Sequence, residues 1–593
     1  MLKKFLLNAL SSFVGAWTAI VLCIIGLVVL IIGLLGSMMA GEAQGLTRHS
    51  VLKLYLGGSI IEAEAPTQFD YRMLVNGRIE KPQTLKDLLS ALQNAKLNSN
   101  IEALLIECGD VSASPATLDA LRDGIRDFKK SGKRVFAYGD YLSMGDYFVA
   151  TVADEVYLNP AGTLNLQGLS GTSLYFKDLL DKIGIDVETV RVGSFKSAIE
   201  PFVSNDMSEA ARLQLDTLYN TMWQYILTDV AKDRNIEPAK INSLVNNYLF
   251  LSEASVAKNN NLVDSCLYYR QVEKIVADYV GKDREDLNFV GPDLLLGNIT
   301  ENPNSDNQIA VLYADGEIGE YEGAGINCHS MVPLIVKLAE DDNIKGMVLR
   351  VNSPGGSVFG SEQIGEALDY FQKKGKPLAV SMGDYAASGG YWISAGANRI
   401  FADPLTITGS IGIFGMVPNI SKLASNIGVH PQTVSTNPDA VFPSIFYPMS
   451  EAQHEALQKN VERGYDKFIK RVAQGRQKSV EYIKSIAEGR VWSAITAQQL
   501  GLVDQLGGLE EAVNWVSNEA KISAANVVSY PMIQNTFWNM LSSSSIADNA
   551  EVKSIIDGMS SRGLDEKMID FAGWFLMLNN IQARSPYFQL MLK

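Results

Sequence analysis

This 593-residue chain resembles itself, and that duplication limits the folds open to it more than any other feature. Gly139-Asp140-Tyr141 with Tyr147 recurs 244 residues later as Gly383-Asp384-Tyr385 with Tyr391. Pro160 and Pro404 keep that register, as do Ile183-Gly184 and Ile427-Gly428. Phe128-Lys-Lys-Ser-Gly132 matches Phe371-Gln-Lys-Lys-Gly375 after a slip of one residue, and Val51-Leu-Lys-Leu-Tyr-Leu-Gly-Gly echoes Ile309-Ala-Val-Leu-Tyr-Ala-Asp-Gly.

Each copy alternates short aliphatic runs with longer helical patterns. Met347-Val-Leu-Arg-Val351 is followed by a helical pattern through Glu362 to Phe371 and then by Leu378-Ala-Val-Ser381. That order predicts an α/β fold of βαβ units and mainly parallel sheet. Parallel strands buried on both faces read as continuous apolar runs, as Ala103-Leu-Leu-Ile106 does. The polar, turn-rich stretch over 298–308 marks a linker, so one repeat is expected over 48–297 and the other over 309–527. Residues 528–593 form a tail of mixed pattern.

The N-terminus adds a different constraint. Residues 13–40 carry no charge, and at about 1.5 Å per residue they can cross a hydrocarbon core of roughly 30 Å with tilt. One transmembrane anchor is expected, because the apolar region of a cleaved signal peptide is only about 7–15 residues long. Lys3 and Lys4 before the span and Glu42 after it leave residues 1–12 in the cytoplasm and the rest of the chain outside. The run from Phe571 to Leu578 is too short for a second span.

The formal net charge of −15, with no basic run, argues against nucleic acid as a partner. Cys23, Cys108, Cys266 and Cys328 lie far apart, which suggests neither a zinc site nor a disulfide framework. Without a Walker A loop, a GxGxxG after a strand or a metal-ligand cluster, no cofactor is expected.

Ala386-Ala387-Ser388-Gly389-Gly390 sits between an apolar strand and a helical-looking Tyr391-Trp392-Ile393-Ser394. A serine there lies at a positive helix N-terminus, and the glycines let a substrate backbone approach. The same residues would also serve as a plain helix cap. Ala386 replaces the first glycine of the GxSxG elbow, so an α/β-hydrolase is not indicated. A serine nucleophile needs a base. The four histidines, His49, His329, His430 and His454, lie in no motif that suggests a triad.

The duplication singles out a lysine instead. Position 144, matching Ser388, is Met144, and position 440, matching Lys196, is Ala440. Each of the two groups exists once, in opposite copies. That complementary loss predicts one site built across both copies rather than a site in each.

The anchor, the duplication, the ASGGYW segment at 387–392 and the GSFKSAIEPF segment at 193–202 together resemble the signal peptide peptidase A (protease IV) family of Ser/Lys peptidases. The resemblance implies Ser388 as nucleophile and Lys196 as general base; Phe195 stands where tyrosine is common. It also implies tandem ClpP/crotonase-like domains, a bowl-shaped homo-oligomer (a homotetramer) and cleavage of signal peptides and similar apolar peptides. A location in the bacterial cytoplasmic membrane, with the catalytic part on the periplasmic side, follows from the same resemblance.

For Lys196 to take a proton at neutral pH, its pKa must fall from about 10.4, and burial has to supply the drop. The oxyanion needs backbone donors. Gly355 and Gly356, in Asn352-Ser-Pro-Gly-Gly-Ser357, and Gly389 after the nucleophile are the candidates, although Ser-Pro-Gly-Gly would also make an ordinary turn. Ser410 is a candidate for orienting the lysine, while Ser353 and Ser357 read as turn or capping residues. A crotonase-like acyl-CoA enzyme and a non-catalytic membrane scaffold are the rival readings.

Overall fold

The computed structural model describes residues 46–63, 83–296, 305–321, 323, 325–522, 525–531 and 581–584. The expected anchor, much of the linker and most of the tail lie outside the described residues. Among those described, no helix is long and apolar enough to cross a membrane.

The first copy is built on a parallel sheet. Strands β1 (Ser50–Ile61), β2 (Ile101–Ser112), β3 (Arg134–Gly139) and β4 (Glu155–Leu158) lie side by side in that order. Gln83–Thr84 and Asn288–Val290 also pair with β1, and Ser265–Cys266 pairs with β4. Every pairing in this sheet is parallel. Helix α1 (Pro115–Lys129) shows why the crossovers form: Ser114 caps it by accepting from the Thr117 N–H, and Pro115 takes the first turn. Its buried Leu118, Leu121, Ile125 and Phe128 recur at helical spacing against the sheet. Helix α2 (Met144–Ala150) follows β3. Strand β5 (Asp186–Val192) leaves this sheet altogether, and the long helix α3 (Glu209–Arg234) follows it.

The second copy repeats the plan. Strands β6 (Gln308–Asp315), β7 (Ile344–Ser353), β8 (Leu378–Ala387) and β9 (Arg399–Ala402) reproduce the parallel order of β1 to β4. Asn526–Tyr530 pairs with β6, as Asn288–Val290 pairs with β1. Helices α4 (Val358–Lys373) and α5 (Gly389–Ser394) stand where α1 and α2 stand in the first copy. Short strand β10 (Ile407–Gly409) extends the sheet from β8 and pairs antiparallel with Val491–Ser493. Each copy is centred on its own large hydrophobic cluster, and the first cluster also takes in Leu405, Ile407 and Val491 of the second copy.

A third, smaller sheet joins the copies. Strand β11 (Ile413–Asn419) of the second copy pairs antiparallel with β5 of the first, from Ile413 opposite Val192 to Asn419 opposite Asp186. The seam also carries buried polar pairs. Arg350 grips Glu62 with two hydrogen bonds, Nε to Oε1 at 2.7 Å and Nη2 to Oε2 at 3.0 Å. Asp384 accepts from the Thr117 N–H at 3.1 Å and from Thr117 Oγ1 at 2.7 Å, at the N-terminus of α1. A lone buried carboxylate is costly, so these pairings hold the copies in one register.

Candidate active site

Ser388 follows the last residue of β8 and precedes α5. Its φ of 56° and ψ of −115° place it in a sparsely populated backbone region, a strain of about 1–3 kcal/mol that its surroundings must hold. They do so from both sides: its N–H donates to the Gly409 carbonyl at 2.8 Å, and its own carbonyl accepts from the Trp392 N–H at 2.9 Å. Gly390 has to be glycine because a Cβ there would lie 2.6 Å from the Ser353 carbonyl oxygen. Tyr391 and Trp392 then fix the short helix, the first by donating to the Leu502 carbonyl at 2.8 Å, the second by stacking on Phe468.

Lys196 arrives from the other copy, on the loop that leaves β5. Gly193, at φ 109°, lets that loop touch the second copy, since a Cβ would meet the Glu488 carbonyl group at 2.4 Å. The Phe195 N–H donates to the Glu488 carbonyl at 3.0 Å. Gly489 completes the contact, because a Cβ there would lie 2.7 Å from Lys196 Cβ.

The side chains meet inside the protein. Lys196 Nζ lies 2.8 Å from Ser388 Oγ, 3.0 Å from Ser410 Oγ and 3.2 Å from the Ser410 carbonyl oxygen. All three residues are 0% exposed. Burial pushes the Lys196 pKa well below its ordinary value, the direction in which the amine becomes neutral and able to accept a proton. Ser410 is itself held by its N–H, which donates to the Arg490 carbonyl at 2.7 Å.

Gly355 and Gly356 form a short strand, Gly355–Ser357, next to the same turn. The Gly355 N–H donates to Ser353 Oγ at 3.2 Å, and a Cβ at Gly356 would lie 2.0 Å from the Ile318 carbonyl oxygen. Ser357 caps α4 by accepting from the Gly360 N–H at 3.0 Å. Gly389 opens α5 directly after Ser388, where the N–H groups of a helix point outward. Between Gly355–Ser357 and β11 runs Ile581–Arg584, antiparallel to both, with Ala583 opposite Gly356 and Gln582 opposite Phe414. An extended chain can therefore lie in that slot by main-chain pairing alone.

The histidines stand elsewhere. His49 pairs with Glu102, His430 is exposed, and His454 Nε2 is 3.3 Å from the Thr189 carbonyl oxygen. His329 lies in the first turn of the helix Cys328–Glu340, which Asn327 caps by accepting from the His329 N–H. Among the described residues, no cluster of His, Cys, Asp and Glu could hold a metal ion. Sequence reasoning missed Gln214 and the segment Glu488–Arg490, which surround the lysine loop; neither carries a local motif.

Comparison with known proteins agrees with the duplication. The model of peptidase family S49 matches the chain twice, over residues 127–281 and 370–523. The chain is 36% identical to Protease 4 of Haemophilus influenzae over 509 residues, covering 83% of this chain and 82% of that protein. It is 36% identical to Protease 4 of Salmonella typhi over 448 residues, 74% of this chain and 72% of the relative. With the chloroplastic serine protease SPPA of Arabidopsis thaliana it shares 24% identity, over 81% of this chain and 70% of that one. Among solved structures, a ClpP1 mutant from Listeria monocytogenes matches 34% of this chain and 94% of that chain, at 16% identity and a TM-score of 0.24. The S49 matches and the Protease 4 relatives set aside both the acyl-CoA enzyme and the non-catalytic scaffold. The chain belongs to peptidase family S49 and is a serine peptidase.

Proposed function

We propose that Ser388 is the nucleophile, that Lys196 is its general base, and that the enzyme cleaves apolar peptides, signal peptides released during secretion among them. The observation that carries this reading is the 2.8 Å contact between Lys196 Nζ and Ser388 Oγ in a fully buried setting. Lys196 as neutral amine takes the Ser388 hydroxyl proton while Oγ attacks the peptide carbonyl. The resulting ammonium returns that proton to the departing amine, leaving an acyl-enzyme on Ser388. Water then attacks the ester with Lys196 again as base, releasing the acid and restoring the serine.

Charge on the tetrahedral oxygen needs fixed donors, each contributing about 3–4 kcal/mol. The N–H groups of Gly356 and Gly389 fit that task, with Gly355 beside them partly engaged by Ser353. Ser410 orients the amine through its two oxygens. The substrate lies extended between Gly355–Ser357 and β11, where Ile581–Arg584 runs. Main-chain pairing there makes affinity tolerant of side-chain identity, which suits a scavenger of varied apolar peptides.

In the same reading residues 13–40 anchor the chain in a bacterial cytoplasmic membrane, with the catalytic part on the outer side. Copies associate into a closed oligomer, a homotetramer, that shields the site from folded proteins. The deciding experiment compares wild type, Ser388→Ala and Lys196→Ala for cleavage of a signal-peptide substrate and for labelling by a fluorophosphonate. Loss of both signals in both correctly folded variants supports the dyad. Near-normal labelling of Lys196→Ala would refute it.

A further inference from the structure

The base loop touches the nucleophile's copy through main-chain contacts and a Ser194–Glu488 side-chain bond, and one buried side chain crosses the seam beside it. Gln214 lies one and a half turns into α3 and is only 1% exposed. Its Nε2 lies 3.2 Å from the Phe195 carbonyl oxygen and 3.0 Å from Ser197 Oγ, the two residues that flank Lys196. Its Oε1 accepts from the Val491 N–H at 3.3 Å.

Those partners fix the orientation of the amide without appeal to hydrogen positions. A carbonyl can only accept and a backbone N–H can only donate, so nitrogen must face Phe195 and oxygen must face Val491. A neutral side chain that carries a donor and an acceptor at this length satisfies both. An ionised carboxylate cannot donate to Phe195, and an aliphatic side chain offers nothing to any of the three, leaving the Phe195 carbonyl only the Ser197 N–H at 2.8 Å.

Both ends of the bridge lead to the reacting atoms. Phe195 and Ser197 are the neighbours of Lys196 in the chain. Val491 opens the strand Val491–Ser493 and pairs with Gly409, whose carbonyl holds the Ser388 N–H. Arg490, next to Val491, holds the Ser410 N–H, and its guanidinium lies over the rings of Phe195 and Trp492. The helix that carries Gln214 is held both by its buried face and by a cap on Glu200, four residues beyond Lys196. Its cap Ser208 donates to Glu200 Oε1 at 2.7 Å, and Leu215, Leu218 and Met222 are buried on it.

We infer that Gln214 is a positioning residue that sets the distance between the Lys196 amine and the Ser388 hydroxyl by clamping the lysine loop to the strand behind the nucleophile. This rests on the Ser/Lys reading above. Its role is on kcat and on the protonation of the lysine, not on substrate affinity, because Gln214 touches neither the slot nor the glycine donors. Loosening the clamp separates base from nucleophile and lets water reach the ammonium, which raises the pH at which the amine becomes neutral.

The test uses the full chain in detergent and the variants Gln214→Leu, Gln214→Glu and Met222→Ala, the last as a stability control further along the same helix. For Gln214→Leu, kcat should fall by about tenfold to a hundredfold. KM should stay within about twofold of wild type, and the rising limb of the pH–kcat profile should move to higher pH. Gln214→Glu should recover part of kcat below neutral pH, where a protonated carboxyl again offers one donor and one acceptor, and lose it as pH rises. Met222→Ala should lower Tm with kcat and the pH limb unchanged. A Gln214→Leu enzyme with the wild-type pH limb, or a Met222→Ala enzyme with the same kcat loss and limb shift, overturns the inference. Lys196→Ala with near-normal activity would instead sink the dyad itself, so the two failures are distinguishable.

Discussion

The two copies treat the same strand-to-helix turn in opposite ways. In the first, Ser143 sits in extended backbone and caps α2, its Oγ accepting from the Asp146 N–H at 3.1 Å while Asp146 accepts in return from the Ser143 N–H. Asp146 also takes the N–H groups of Asp110 and Val111, at 3.2 and 3.3 Å, at the irregular C-terminal end of β2. These donors are all used internally. In the second copy Ser388 occupies the cap position at positive φ, makes no side-chain cap, and its Oγ instead meets Lys196 Nζ. Gly390 stands where Asp146 stands, so no carboxylate reaches from that position to the turn that ends β7. The first copy's turn is capped and satisfied, whereas the second keeps its serine strained and uncapped. If Ser388 is the nucleophile proposed above, its reactivity depends on leaving the helix-capping role of its hydroxyl unfilled inside an otherwise satisfied fold.

Substitutions at the matching positions 388 and 144 separate the copies most widely. Ser388→Ala should reduce kcat by several orders of magnitude with Tm nearly unchanged, whereas Met144→Ala should cost about 2–5 kcal/mol of stability and leave kcat intact. Peptide turnover and thermal melts on both proteins check this; a large kcat loss in Met144→Ala would end the claim that the first turn is structural only.

Gly390→Ala comes next. The added Cβ meets a backbone oxygen that cannot swing aside, so Ser388 must move and kcat should drop by about a hundredfold. A crystal structure or the fluorophosphonate acylation rate of this variant reads the displacement directly. Unchanged acylation would mean the turn is more pliable than its geometry indicates.

In the first copy, Asp146→Ala strips the partner from several buried N–H groups and should destabilise the protein by about 1–3 kcal/mol, with kcat per folded molecule preserved. Denaturant melts paired with active-site titration distinguish this from a catalytic effect.

The smallest effect should be a gain. Burial holds the Lys196 pKa below its unfolded value, so the unfolded chain binds more protons and stability rises with pH between the folded pKa and about 10.4. Lys196→Met removes that cost, so its stability advantage over wild type should be largest at acid to neutral pH and shrink toward about pH 10. An advantage independent of pH would show that the lysine is not titrating as its burial demands.

Much of this architecture is legible in the linear chain. The repeat at 244 residues, the Met144/Ser388 and Lys196/Ala440 complementarity, and the parallel βαβ order are local or periodic properties, and a sequence displays them directly. Ser357 as a cap is legible for the same reason, since a helix N-terminus is decided by the residues next to it. The departure of β5 to pair with β11, the seating of the lysine loop on Glu488 and Gly489, the bridge from Gln214 to Val491, and the strand Ile581–Arg584 in the slot are not. Each joins residues far apart in the chain, largely through backbone groups that any sequence possesses, so no side-chain pattern announces them. The sequence by itself determined which chemical groups the site has and that each occurs once, because composition and repeat register are one-dimensional facts. Tertiary structure alone decided that the two groups lie 2.8 Å apart and dry, because distance and desolvation come from packing across the seam.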